Sequence, residues 1–302
     1  MAYRCSIEME TQAEIKRIID ERYDRAVNEF KNPESDTDFA NHQMRKNMKK
    51  VRAALRLVRD SVGEKKYKKW NKAARNIARL GAELRESEVA VNALGNVKNR
   101  FDWKSDYQFY QIARAKLRRD HQKYKKELLE EQHFEEEIIE RLEEAKEKVS
   151  VLEYDKTGFK AFEKGLERVY KRGRKAYKKC RKKSTTANHH EWRKRVKYLW
   201  CEIRILKETW PNGLKGYAKE LHNLSDLLGD DHDLNDLKGR LQKIYLESDY
   251  TDDLAKTEAL IDQFSEEIRN DAWQLGERIY AEKPKDFVKR IGKYWDAAQS
   301  MS

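Results

Sequence analysis

An all-α protein is the fold class this sequence predicts, and three observations predict it. Glycine and proline are scarce, 12 and 3 among 302 residues, too few turn residues for an all-β chain. Charged residues make up 40%, led by the helix formers Lys, Glu and Arg. Apolar side chains recur at three- and four-residue spacing almost throughout, with no period-two alternation of useful length.

The breaks come in order and divide the chain into about ten helices. Asn32-Pro33 ends the first, because a residue before proline is steered out of helical geometry. Gly63 and the stretch Gly95–Asp102 interrupt the next elements, and Thr157-Gly158 and Ser184–Asn188 punctuate the middle. Pro211-Asn212-Gly213, Gly229–Asp233, Ser248–Asp253 and Pro284 complete the series. Glu127–Lys148 holds ten Glu, yet Ile138, Leu142, Ala145 and Val149 still repeat helically, so it reads as one acidic surface helix. Length alone suggests two units, 1–150 and 151–302.

Composition narrows the function classes. Seven Trp, fifteen Tyr and nine Phe along the chain exclude collagen and low-complexity disorder. Sixty-six basic against 54 acidic residues leave a net charge of +12, which favours polyanions: nucleic acid, anionic membrane or inorganic phosphate chains. No apolar run approaches the roughly 18 residues of a membrane span, so no membrane partner is expected. MAYRCSIEME lacks the apolar stretch of a signal peptide, and Cys5, Cys180 and Cys201 form no CxxC pair. A cytoplasmic protein without disulfides, structural zinc or cofactor is expected.

The strongest signal is an internal repeat. His42-Gln-Met-Arg45-Lys46 aligns with His190-Glu-Trp-Arg193-Lys194, 148 positions later. The register holds without a gap: Lys49 meets Lys197, Val51 meets Leu199, Arg56 meets Arg204, Leu80-Gly81 meets Leu228-Gly229, and Glu88 meets Asp236. A duplicated helical unit, packed as two related bundles, is the simplest reading.

Helical geometry then aims the repeated side chains. With about 100° per residue, His42, Lys49, Arg52 and Arg56 fall within about 60° of Arg45. Met44, Met48, Val51, Leu55 and Val58 occupy the neighbouring arc. In the second copy His190, Arg193, Lys197 and Arg204 share one stripe beside Val196, Leu199 and Ile203, with Trp200 where the first copy has Arg52. A solvated face would lie opposite the apolar arc, whereas these cations border it. Snorkelling of long stems along a core edge explains one such helix. Two with the same pattern point to a shared groove whose repulsion an anion relieves.

The His-x-x-Arg-x-x-x-Lys pattern, its duplication and the Leu-Gly pair after each copy resemble the CHAD family, the conserved histidine α-helical domain. Tyr170-Lys-Arg-Gly-Arg-Lys and Leu227-Leu-Gly-Asp-Asp-His-Asp233 strengthen the match, which spans about residues 10–298. The resemblance implies two four-helix-bundle-like halves forming one domain around a basic central channel. It implies non-enzymatic binding of inorganic polyphosphate, with recruitment to polyphosphate granules. Carried over residue by residue, the ligands are His42, Arg45, Lys49, Arg52 and Arg56, with His190, Arg193, Lys197 and Arg204. Arg85 and His232, after the Leu-Gly pairs, and Lys171, Arg174 and Lys178 on the basic helix join them.

The chemistry of these residues agrees with that implication. Arg donates a planar fork to one phosphate, and Lys adds a mobile charge. A nearby polyanion raises histidine pKa values. No Ser or Cys nucleophile with a paired base is visible, so an enzyme is not expected. Asp230-Asp-His-Asp233 offers hard oxygens and an imidazole, but Asp after Leu-Gly is also an ordinary helix N-cap, so no metal site is expected. Nucleic-acid binding on the same basic surface is the rival reading.

Overall fold

The computed structural model describes residues 3–101, 107–131, 133–246 and 248–300. Among them the chain forms α1 (Thr11–Lys31), α2 (Thr37–Leu57), α3 (Arg59–Val62), α4 (Glu64–Leu80), α5 (Ala82–Phe101), α6 (Tyr107–Glu131) and α7 (Phe134–Val149). A 3-10 turn at Gly158–Ala161 leads into α8 (Glu163–Lys182) and α9 (Thr186–Ile205). A second 3-10 turn, Lys207–Thr209, precedes α10 (Pro211–Tyr245), α11 (Thr251–Ile279) and α12 (Pro284–Gln299). The described residues contain no strand.

Local chemistry sets the starts of the two basic helices. The Asp36 carboxylate accepts from the Asp38 amide at 2.8 Å and so caps α2. Thr185 Oγ1 accepts from the Asn188 amide at 3.3 Å and caps α9. Pro211 and Pro284 sit in the first turns of α10 and α12, where a missing N–H costs nothing.

α2 packs on α1, α4, α8 and α9, and α9 packs in turn on α8 and α10. Their apolar arcs meet in one core: Met44, Met48, Val51 and Leu55 from α2, with Trp192, Val196, Leu199 and Ile203 from α9, all at 0% exposure. Gly165 makes the α2–α8 crossing close, because a Cβ there would lie 2.0 Å from the Leu57 carbonyl oxygen. A second core joins Leu94 and Val97 of α5, Phe109 of α6, Leu237 and Leu241 of α10, and Ile261 of α11. Both cores draw side chains from either side of residue 150, which falls just after α7.

Three expected boundaries differ. α10 runs without interruption through Leu228-Gly229, so Asp230 is no N-cap; the apolar stripe Leu221, Leu224, Leu228, Leu234, Leu237 holds the helix together across the glycine. α5 likewise continues through Gly95 to Phe101, and residues 102–106 lie outside the described residues. The acidic span is two helices, α6 and α7, with His133 in the left-handed conformation (φ 44°) ahead of α7. Trp192 and Tyr198 are both buried.

Candidate functional site

Asn41 sets the first half of the site. Its buried side-chain amide donates to the Gly81 carbonyl at 2.9 Å, tying α2 to the α4–α5 corner. A Cβ on Gly81 would strike that amide at 1.8 Å, so the corner requires glycine. One turn on, Arg45 Nη1 donates to the Ala78 carbonyl, a free acceptor at the end of α4. Arg85 then rises from the first turns of α5 and pairs with Glu88 at 2.5 Å. In the second half, Arg193 of α9 lies over Gly229 of α10, with its Nε 3.9 Å from where a Cβ would stand.

This packing brings eight of the sequence-predicted residues together: His42, Arg45 and Lys49 of α2, Arg85 of α5, His190, Arg193 and Lys197 of α9, and His232 of α10. Lys49 feels Lys197, Arg45, Arg193 and Arg85, and His232 feels Arg193, His190, Lys197 and Lys49. The His190 and His232 rings lie 4.9 Å apart. Lys49 is surrounded by protein, yet its side chain remains open to solvent, as expected of a group standing in a concavity.

The electrostatics are those of a crowded cation site. Burial first, and then neighbouring cations, pushes His42 down to about 4 and His232 down to about 3, and lowers His190. These imidazoles are therefore neutral at pH 7. Burial and Arg193 bring Lys197 down to about 8, and Lys49 falls well below an ordinary lysine. Two buried polar atoms in the cluster, the Arg193 Nε donor and the His232 Nδ1 nitrogen, have no hydrogen-bond partner.

Acidic side chains rim the cluster, and the sequence reading missed their role. Asp233 lies 4.0 Å from Arg193, and Asp236 lies 3.3 Å from His232 Nε2. Asp230 and Glu86 also act on Arg193. Burial and mutual repulsion raise Asp230 and Asp236 to about 6. The signal was present: Asp226, Asp230 and Asp233 stand at i, i+4 and i+7, one face of a continuous helix. Reading Gly229 as a break hid it. Asp231 points the other way, into the core, where Arg269 Nε holds it at 2.7 Å. The Asp230–Asp233 segment therefore does not converge on one point, and no group of three or more His, Cys, Asp or Glu among the described residues could hold a metal ion.

The other predicted residues lie elsewhere. Arg52 bonds Asn71 at 3.2 Å and the Tyr198 hydroxyl at 3.4 Å, and Arg56 lies 3.8 Å over the Tyr198 ring. Arg204 sits 4.9 Å over Trp200, which itself meets His222 at 4.5 Å. Arg174 donates to the Tyr280 carbonyl at 3.0 Å, closing the end of α11. Lys171 and Lys178 are exposed on α8.

No helix among the described residues is long and apolar enough to cross a membrane. A comparison with curated proteins returns no match. The family model of the CHAD domain matches residues 13–242, a span that contains all eight clustered side chains and both copies of the His-x-x-Arg-x-x-x-Lys pattern. The chain belongs to the CHAD-domain family.

Proposed function

We propose that this protein binds inorganic polyphosphate at the cluster of His42, Arg45, Lys49, Arg85, His190, Arg193, Lys197 and His232, and does not turn it over. The observation that carries the reading is the buried, partnerless Arg193 Nε donor within a cluster crowded with cations. Folding has placed like charges together and left a buried donor unsatisfied, a combination that an incoming anion relieves. A chain of linked phosphates suits it: each unit carries negative charge on tetrahedral oxygens that accept from Arg forks and Lys ammonium groups alike.

Base recognition needs stacking platforms or groove readers. The aromatic rings of α9 are spent elsewhere: Trp192 and Tyr198 are buried, and Trp200 is packed against His222 and Arg204. This favours phosphate over nucleobase as the group recognised. A cytoplasmic protein recruited to polyphosphate granules follows from the same reading.

Titration calorimetry at about physiological salt tests it, with long-chain polyphosphate and duplex DNA as separate titrants. Wild type should bind polyphosphate more tightly than DNA, and an Arg45→Ala/Arg193→Ala variant should lose at least about tenfold. Equal binding of both polymers, or an unaffected double variant, would mean that the net charge of +12 acts diffusely and that the cluster is not the site.

A further inference from the structure

A serine, a histidine and an aspartate line up where α9 begins, outside the cation cluster. Ser184, in the turn before α9, is exposed, and its Oγ lies 2.9 Å from His189 Nε2. His189 is buried, and its Nδ1 lies 3.7 Å from Oδ2 of buried Asp231 on α10. Asp231 is fixed in turn by Arg269 of α11, whose Nε is 2.7 Å from Oδ1, and by Asn235 Nδ2 at 3.3 Å. With Ser184 donating to Nε2, the ring proton sits on Nδ1, on the side of the carboxylate. Burial first, and then Arg269, pushes His189 down to about 4, so at pH 7 its imidazole is neutral and Nε2 is free to take a proton. An exposed hydroxyl on a buried imidazole that a fixed carboxylate orients has the parts of an activated serine.

The internal repeat sets this line apart from a shared structural tie. At the offset of 148, Ser184, His189 and Asp231 correspond to Asp36, Asn41 and Glu83. Asn41 ties its helix to the Gly81 carbonyl at 2.9 Å, whereas His189 Nδ1 makes no hydrogen bond and Nε2 turns to Ser184. The second copy has exchanged a helix–helix tie for a serine–histidine contact. We propose that Ser184 is the nucleophile of an ester-hydrolysing site, with His189 as general base and Asp231 as positioning residue, acting on small carboxylic esters that carry an anionic group. The anionic class follows from Arg181, Lys182 and Lys183, which precede Ser184 and are exposed. The first-turn amides of α9, Thr186 and Ala187, have no carbonyl within the helix to bond and supply donors for the oxyanion. Ser184 Oγ attacks the acyl carbon while His189 Nε2 takes its proton. The ester C–O bond breaks, and the alcohol leaves with that proton. Water, deprotonated by the same nitrogen, then cleaves the acyl-serine, releasing the carboxylic acid and restoring Ser184.

Release of p-nitrophenolate by the full chain tests the site, with mono-p-nitrophenyl succinate and p-nitrophenyl acetate as separate substrates. Wild type should turn over both, and the succinate about threefold faster or more. Ser184→Ala, at an exposed position that disturbs no core, should lose about tenfold or more. Asp231→Asn should lower kcat and leave KM unchanged, a split that loss of folded protein does not produce, because the remaining folded molecules would keep the wild-type pH profile. Diisopropyl fluorophosphate should form a P–O bond to Ser184 Oγ with loss of fluoride, located by peptide mass mapping. A wild type that hydrolyses neither ester, a Ser184→Ala variant as fast as wild type, or a label placed elsewhere would overturn the site. Equal rates on the two esters would overturn the anionic substrate class. Polyphosphate binding is not involved in any of these readouts, so their failure leaves that reading standing.

Discussion

The imidazole rings of His190 and His232, one from α9 and one from α10, lie 4.9 Å apart inside a ring of cations. Arg193 and Lys197 act on both, Lys194 acts on His190, Lys49 acts on His232, and Asp236 stands 3.3 Å from His232 Nε2. Burial and these cations hold the free imidazoles neutral at pH 7. A bound polyanion offsets the cations and raises the imidazole pKa values, so the complex holds more protons than the free protein. Asp230 and Asp236, already raised to about 6, are pushed in the same direction. Binding therefore takes up protons, and affinity for long-chain polyphosphate should rise as pH falls from about 7.5 to 6 at constant ionic strength. Calorimetry in two buffers of different ionisation enthalpy measures the uptake directly. Proton release, or a flat profile, would show that these groups do not face the ligand.

The acidic rim makes a second prediction. Asp233 and Asp236 occupy ground that an incoming phosphate chain must share. Their carboxylates partly neutralise Arg193 in the free protein and repel the ligand. Asp236→Asn and Asp230→Asn keep the side-chain shape and remove the charge. Each should tighten polyphosphate binding at pH 7.5 by about 3–10-fold, since the charges interact across a partly wetted site. Each should also flatten the pH dependence. Weaker binding in both would mean that the carboxylates orient the cations rather than oppose the ligand.

Helical periodicity sufficed for the all-α class and for the aim of the basic stripes, because a 3.6-residue repeat is a local property. It placed Arg45, Lys49, Arg193 and Lys197 on core-bordering faces, where they stand. It could not tell that Arg56 would turn onto Tyr198, because that partner is set by the crossing of α2 and α9, whereas Arg204 stands over Trp200 one turn back on its own helix. Gly229 misled for a related reason. Glycine costs a helix about 1 kcal/mol, which reads as a helix end when only neighbours are known. The flanking leucines of α10 bury enough surface to carry the helix through. The sequence also gave no hint that the histidines would be neutral, since the pKa of His232 depends on cations brought from three other positions in the chain.

Two glycines on neighbouring crossings should respond oppositely to alanine. Gly165 faces the backbone of α2, with the Leu57 oxygen 2.0 Å and the Arg56 oxygen 2.7 Å from a new Cβ. A helix backbone cannot yield as a flexible side-chain tip does, so Gly165→Ala should destabilise by about 1–3 kcal/mol. Gly229 meets nothing closer than Arg193 Nε at 3.9 Å, which is ordinary contact. Gly229→Ala should stabilise by about 0.5–1 kcal/mol through helix propensity. Urea midpoints at unchanged m-value report both. A destabilised Gly229→Ala would show that the crossing of α9 and α10 is tighter than its geometry indicates.

Lys49 offers the clearest separation of function from stability. Apart from burial, the influences that lower its pKa are all cations: Lys197, Arg45, Arg193 and Arg85. In the free protein its charge is opposed from several sides, and Asp233 offsets it in part. Lys49→Met keeps a long, flexible stem against the α2–α9 groove and removes the charge. The free protein should gain slightly, with a melting midpoint about 1–2 °C higher at low salt and less at high salt. Polyphosphate binding should weaken by about tenfold, because the same charge is favourable once phosphate arrives. A residue kept for packing would move both quantities down together. A residue irrelevant to the ligand would leave affinity unchanged while the midpoint rose. Only a side chain retained for its anion at the expense of the fold moves the two in opposite directions, and thermal melts with and without saturating polyphosphate read both from one sample series.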